Sequence, residues 1–325
     1  MTFFKTFKTP LIIALVAIIA LGSFLFWKNN PTTSQTSNSN KIVKVGSFSK
    51  AIDYAPYFIA KEKGWITEAA KQNNFDVEFT EFQSLAPINE SLVSGKIDFV
   101  FEAETPAIVS IGATGNAQIV KTLVTLNQEI LVQNSSSINS IADLKGKKIG
   151  VLTGTSSDYG VNKILNASGL QKSDVEIIDL NPVDAKVAFE QGQIDAWAVW
   201  PPFVEQVVLS GKGRVIPNNT SSVFIQSILA GRSAFTKENP KFTSDFIISI
   251  TKAQDYIASN PKESKEIIAK TIGIEANVVE AAWSKHNFKS DFGDTQINDI
   301  QSKADFLLKA NLIKQPVNIK SNLFN

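Results

Sequence analysis

Three short strand and helix units recur in the same order roughly a hundred residues further along the chain. Lys44-Val45-Gly46-Ser47-Phe48 reads as a strand, followed by a loop and a helix from about Pro56 to Gly64. Lys148-Ile149-Gly150-Val151-Leu152 repeats the strand, with a loop over Thr153–Ser157 and a helix stopping near Gly169. Pro at a helix start and Gly just past its end mark these bounds. Asp76-Val77-Glu78-Phe79 alternates like a strand, and Asp174-Val175-Glu176-Ile177 matches it. One helix ends at Gly95 before Lys96-Ile97-Asp98-Phe99, another at Gly192 before Gln193-Ile194-Asp195-Ala196. Repetition at a fixed offset marks repeated supersecondary units, and strand–helix alternation builds parallel βαβ sheets. The expectation is an α/β protein of two similar βαβ lobes.

A chain of 325 residues is too long for one small core, in agreement with two lobes. After the second unit, Val223 to Ala230 is an apolar strand, and nearly everything from Phe235 onward is helical. Asn239-Pro240 and Asn260-Pro261 are helix starts and Gly273 a stop. These helices bring no strands of their own, so they must pack back on the first lobe. The chain then crosses between lobes twice, near Leu126–Leu131 and near Phe224–Leu229. Lobe I is expected to comprise 41–128 and 227–325, and lobe II 129–226. A hinge of two crossovers suits closure around a ligand held between lobes.

Lys5 and Lys8 precede an apolar run from Leu11 to Trp27 broken only by Gly22 and Ser23. Residues 1–28 read as a signal peptide or an N-terminal membrane anchor, Phe24 to Trp27 extending the run as an anchor would. Basic residues before the run place the rest of the chain outside the cytoplasm. The Ser/Thr/Asn-rich stretch 29–40 is a polar linker.

Composition removes several function classes. With Lys+Arg 32 against Asp+Glu 31 there is no long-range field to draw nucleic acid or an anionic membrane. No cysteine exists, which removes disulfides, thiolate metal sites, a Cys nucleophile and a lipidated Cys anchor. A single histidine, His286, leaves no multi-His metal site, and its setting after Trp283 reads as packing. No cofactor, no metal and no catalytic group is expected.

Ligands of open α/β sheets sit at the carboxyl ends of the strands, where helix N-termini lie. Four loops fall there: Ser49–Tyr57, Gln83–Pro87, Glu104–Pro106 and Thr153–Asp158. The candidate ligand contacts are Asp53 and Tyr54 in the first, Gln83 and Ser84 in the second, Glu104 and Thr105 in the third, and Thr153, Thr155, Ser156 and Ser157 in the fourth. In the last loop a Gly followed by three hydroxyl residues at a helix start can grip an anion without a formal cation, although a plain Ser or Thr cap would look the same. Only Arg214 and Arg232 exist, so no bidentate Arg cluster is available and dipolar recognition remains. Arg232 and Lys50 are further candidates whose ordinary role is at the surface. In Asp195-Ala196-Trp197-Ala198-Val199-Trp200-Pro201-Pro202 the two Trp residues stand an odd number of positions apart on a strand, so they face opposite sides. Trp200, at the carboxyl end, is assigned to the cleft, with Tyr54, Tyr57 and Phe203 as further apolar wall.

From about Lys41 to the C-terminal helices the chain resembles the extracytoplasmic binding proteins for aliphatic sulfonates, taurine and nitrate. The resemblance rests on Leu92-Val93-Ser94-Gly95-Lys96-Ile97-Asp98, Asp143-Leu144-Lys145-Gly146-Lys147-Lys148, Gly154-Thr155-Ser156-Ser157, and Pro182-Val183-Asp184-Ala185 running through Asp195–Trp200. The first two strings are shared by many two-lobed binding proteins; the last two are closer to the sulfonate branch. That branch implies the α/β, type II periplasmic-binding-protein fold, two βαβ lobes joined by a two-crossover hinge, and a monomeric receptor that delivers a small anionic ligand to ABC transporter permease subunits and their ATPase. It also implies an anion head at helix N-termini, including Thr155–Ser157, and a tail toward aromatics. The chain has Glu104-Thr105-Pro106 where the branch often has Asp-Thr-Pro, and Pro201 where it often has an acidic residue, so tail specificity does not carry over. Nitrate, riboflavin or a thiamine precursor are the alternative ligands. An enzyme on the same fold, or a two-lobed transcriptional effector domain, is the alternative class.

Overall fold

The structure, a computed structural model, describes residues 40–83, 86–218, 223–289 and 292–324. The targeting segment expected over 1–28, and all but the last residue of the linker, lie outside the described residues. Among the described residues, no helix is long and apolar enough to cross a membrane.

The first run of elements is β1 Lys41–Phe48, α1 Ala55–Glu62, α2 Trp65–Gln72, β2 Phe75–Phe82, α3 Ala86–Val93, β3 Phe99–Ala103, α4 Glu104–Thr114 and β4 Ala117–Asn127. The second is β5 Glu129–Gln133, β6 Lys148–Val151, α5 Ser156–Ala167, β7 Glu176–Asp179, α6 Pro182–Glu190, β8 Ala196–Val199, α7 Phe203–Leu209 and β9 Gly213–Val215. The chain then returns through β10 Phe224–Arg232 and finishes in α8 Ser233–Glu238, α9 Pro240–Ser259, α10 Pro261–Ile272, α11 Ala276–Trp283 and α12 Asp294–Lys309.

Two five-stranded sheets result, ordered β2-β1-β3-β10-β4 and β7-β6-β8-β5-β9. In each sheet three strands run parallel, and a fourth arrives antiparallel from the other lobe: β10 beside β3 and β5 beside β8. The fold is therefore the expected two-lobed α/β architecture. The repeat extends to single hydrogen bonds. Asp98 accepts the Lys44 N–H at 3.0 Å and donates its own N–H to the Lys44 carbonyl, and Asp195 does the same with Lys148 at 2.8 Å. The two Gly-x-Ile-Asp strings are thus strand-start clasps.

The C-terminal helices cover the first sheet. Phe242, Phe246, Ile250, Ala253 and Ile257 fall at helical spacing on α9 and are buried, giving one apolar stripe. Phe242 and Phe246 stack with centroids 5.8 Å apart and meet Phe99 of the sheet edge-on. Between β4 and β5 the buried Gln128 ties the crossing segments together. Its N–H donates to the Val223 carbonyl, and its amide donates to the Glu129 and Val199 carbonyls. A Cβ on Gly160 of α5 would come within 2.6 Å of the Gln128 side chain, so only glycine lets this helix approach the hinge. The return crossing lies just ahead of 224–229, which is strand of the first sheet throughout.

Candidate functional site

At the carboxyl edge of the first sheet, β1 ends at Phe48 and β3 at Ala103, while β10 begins near Ile225, and these three wall one side of a cavity. The turn after β1 adds Asp53 and Tyr54, and the first turn of α4 adds Thr105 and Pro106. Thr155, Ser156 and Trp200 close it from the second lobe. A water's centre can occupy about 40 Å³ of this space. At roughly 10–15 Å³ per water, that is room for about three waters in this conformation.

Among the described residues, no lysine or arginine lines the cavity. The positive character comes instead from two helix N-termini, those of α4 and α5, whose first-turn N–H groups lack intrahelical acceptors. Thr105 Oγ1 and Ser156 Oγ stand 3.3 Å apart, joining the two helix starts across the cleft. The sequence folds locally this way for simple reasons. A strand ends, Ala103 at −74°, 158° is still extended, and Pro106 sits in the first turn of α4, where its missing N–H costs nothing. On the other side, Gly154 at φ +75° turns the chain and Thr155 caps α5.

Thr155 is engaged by its own loop. Its hydroxyl donates to the Leu152 carbonyl at 2.6 Å and accepts the Asp158 N–H, so it has no proton left for a ligand. Asp158, buried in the first turn of α5, pairs with Lys172 at 2.8 Å and accepts the Gly154 N–H. Ser156 differs: among the described residues its hydroxyl has only the Thr105 hydroxyl as side-chain partner.

Tyr54 is 3% exposed. Burial chiefly, with Asp53, Glu102 and Glu104 nearby, holds its phenol well above the ordinary range against the opposing Ser227 hydrogen bond, so it stays neutral. Asp53 receives the Ser227 hydroxyl at 3.2 Å on one oxygen and faces His286 Nε2 at 2.9 Å on the other. Beneath the α4 start, the fully buried Lys303 pairs with Glu104 at 2.5 Å and Asp299 at 2.7 Å and donates to the Phe224 carbonyl. Burial pulls the Lys303 ammonium down, but its two carboxylate partners outweigh that and hold it above its usual value.

Of the candidates named from the sequence, the structure brings together Asp53, Tyr54, Thr105, Thr155, Ser156 and Trp200. It does not bring Glu104, whose carboxylate is spent on Lys303 and on the Gln226 N–H. Thr153 is exposed and gives its N–H to Asp179. Ser157 is buried outside the lining, and Gln83 is exposed past the end of β2. Ser84 lies outside the described residues. Arg232 is at the opposite edge: β10 runs antiparallel, so its last residue lies by the beginning of β3, where it pairs with Asp98 at 2.6 Å. Lys50 is exposed, and Tyr57 is core, packed on Phe58 and Phe101. Phe203 sits between Trp197 and Trp200 behind the wall, and Trp197 is buried as expected.

Sequence reasoning missed four contributors. Phe48 and Ile225 carried no signal beyond being apolar at strand ends. His286 lies 233 residues from Asp53 in sequence, so no local pattern could join them. Lys285, next to it, reaches from the first lobe to Glu129 at 2.7 Å and Glu205 at 2.8 Å in the second. Burial lowers its ammonium, but these two hydrogen-bonded carboxylates more than compensate and hold it above its usual range.

A family model described as NMT1/THI5 like matches residues 51–264, more than half of the chain. A protein of Bacillus subtilis (strain 168), provisionally named an aliphatic sulfonates-binding protein, is 28% identical over 95% of this chain and 94% of its own length. The crystal structure of the periplasmic aliphatic sulphonate binding protein SsuA from Escherichia coli superposes with a TM-score of 0.78 at 24% identity, covering 88% of this chain and 98% of that one. The desulfurization enzyme DszB shares the fold too, with a TM-score of 0.69 at 15% identity over 87% of this chain and 96% of its own.

Proposed function

The chain belongs to the NMT1/THI5-like family, and on that premise we propose that it is the extracytoplasmic solute-binding protein of an ABC importer, capturing a small aliphatic sulfonate such as taurine or an alkanesulfonate. The observation that carries this reading is the meeting of two helix N-termini at Thr105 and Ser156 in a cavity without a cation. Backbone N–H groups and a hydroxyl pair suit an oxyanion with several acceptor oxygens. Phe48, Ile225 and Trp200 supply apolar wall for a short tail.

The relatives named for sulfonate binding support the ligand class. Capture rather than conversion fits the chemistry: Ser156 has a hydroxyl beside it instead of a base, and His286 is occupied by Asp53 and the Ala282 carbonyl. Lys5 and Lys8 ahead of the apolar run, and the periplasmic relatives, support a site outside the cytoplasm, where a monomer would hand its ligand to the permease subunits with their ATPase.

Calorimetric titration with ethanesulfonate, taurine, nitrate and riboflavin, followed by mass spectrometry of the recovered ligands, tests the reading. Binding of the sulfonates with unchanged mass is expected. Tighter binding of nitrate or riboflavin, or recovery of a converted product, would replace it.

A further inference from the structure

His286 Nδ1 lies 2.8 Å from the Ala282 carbonyl oxygen, and Nε2 lies 2.9 Å from Asp53 Oδ1. A carbonyl oxygen only accepts, so Nδ1 carries a proton. On a neutral ring Nε2 would then be a bare lone pair facing a carboxylate oxygen. Turning the ring over would set carbons against both oxygens, at a site where the imidazole is 0% exposed. Asp53 Oδ2 takes the Ser227 hydroxyl, so one proton is shared between Asp53 Oδ1 and Nε2, and it sits on the imidazole because imidazole is the more basic partner.

We infer that His286 is held as an imidazolium whose charge cancels that of Asp53, and that this buried pair is what lets a cavity with a carboxylate in its wall accept an anion. The inference rests on the anion-binding reading above. Asp53 lines the same space as Thr105 and Ser156, and an uncompensated carboxylate there would repel an anion across a medium of low dielectric. The other charges nearby are committed elsewhere. Lys285, beside His286, is held by Glu129 and Glu205, and Lys303 by Glu104 and Asp299. Tyr54 on the Asp53 turn is a neutral phenol, and Glu102 adds no positive charge. The face of the imidazole is covered by Phe288, stacked at 5.4 Å, which keeps water from replacing the pairing. His286 is thus a positioning and charge-compensating residue that acts through Asp53.

The chain has one histidine, so nitrogen–proton correlation NMR of the full chain labelled with ¹⁵N reports this ring without an assignment problem. Both ring nitrogens protonated at neutral pH, without ligand, is the expected spectrum. A neutral ring would overturn the inference. Affinity for ethanesulfonate is then measured at neutral pH in the parent, His286→Gln, Asp53→Asn and the double variant. His286→Gln should be weaker by at least about tenfold through like-charge repulsion, and adding Asp53→Asn should restore most of that loss. A folded His286→Gln with parental affinity, or a double variant no better than it, would contradict the inference. Failure of the parent to bind any sulfonate would count against the function, and the ring spectrum would still decide the charge of the pair.

Discussion

The Thr105 hydroxyl meets the Ser156 hydroxyl at 3.3 Å across the cleft, each in the first turn of a helix from a different sheet. Bringing two positive helix ends together is unfavourable alone, and an anion between them reverses the sign.

Thr155, by contrast, serves its own helix. Thr155→Ala should cost about 1 kcal/mol of stability, the usual cost of a lost cap, and change sulfonate affinity less than Ser156→Ala does. Urea denaturation beside calorimetry separates the two effects. A large affinity loss with no change in stability would return the hydroxyl to the ligand.

Lys285→Met removes the bridge to Glu129 and Glu205 and leaves Glu205 buried without its cation. The expected result is roughly fivefold weaker sulfonate binding, mostly in the dissociation rate, with the gap narrowing at high salt because Lys285 is a third exposed. Stopped-flow dissociation at two ionic strengths checks it.

Glu102 sits on β3 with neither oxygen bonded among the described residues, and burial pushes its carboxyl up to about 8 from 4.5. Between those values the folded chain keeps a proton that the unfolded chain has released. Folded molecules bind more protons there, so this residue lowers stability progressively as pH rises from about 4.5 to about 8. Glu102→Gln should remove that slope, gaining on the parent steadily across the window. Parallel stability curves at pH 5 and pH 8 would refute it.

Lys303 neutralises two buried carboxylates at once. Lys303→Met should destabilise by about 3–5 kcal/mol, the range for breaking a buried pair from one side, and thermal unfolding reads it. Adding Glu104→Gln should recover part of the loss, since one stranded charge is then removed.

The lobes were legible because the repeat lies in local patterns: Pro56 and Gly64 punctuate one helix, and Asp98 and Asp195 occupy equivalent strand starts. Trp200 was legible from its place at the carboxyl end of β8, and it lines the cavity. Glu104 was not: its place at a helix start suggests the ligand, but Lys303, 199 positions later, claims it through a packing of α12 that no local pattern encodes. Arg232 misled for a topological reason, since β10 runs against β3 and carries its end away from the cleft. His286 read as packing, and its ring is buried, but what it packs against is a charge in the cavity wall.

Ser156 and Thr105 flank the proposed anion site, and the most direct measurement is the dissociation constant of ethanesulfonate for the parent chain and for Thr105→Val with Ser156→Ala. Each hydroxyl given to a charged oxygen contributes about 1.5–3 kcal/mol, so the double variant should bind on the order of a hundredfold more weakly while backbone N–H groups retain residual affinity. A well-folded double variant that binds ethanesulfonate as the parent does would contradict the placement of the anion between these two helix starts.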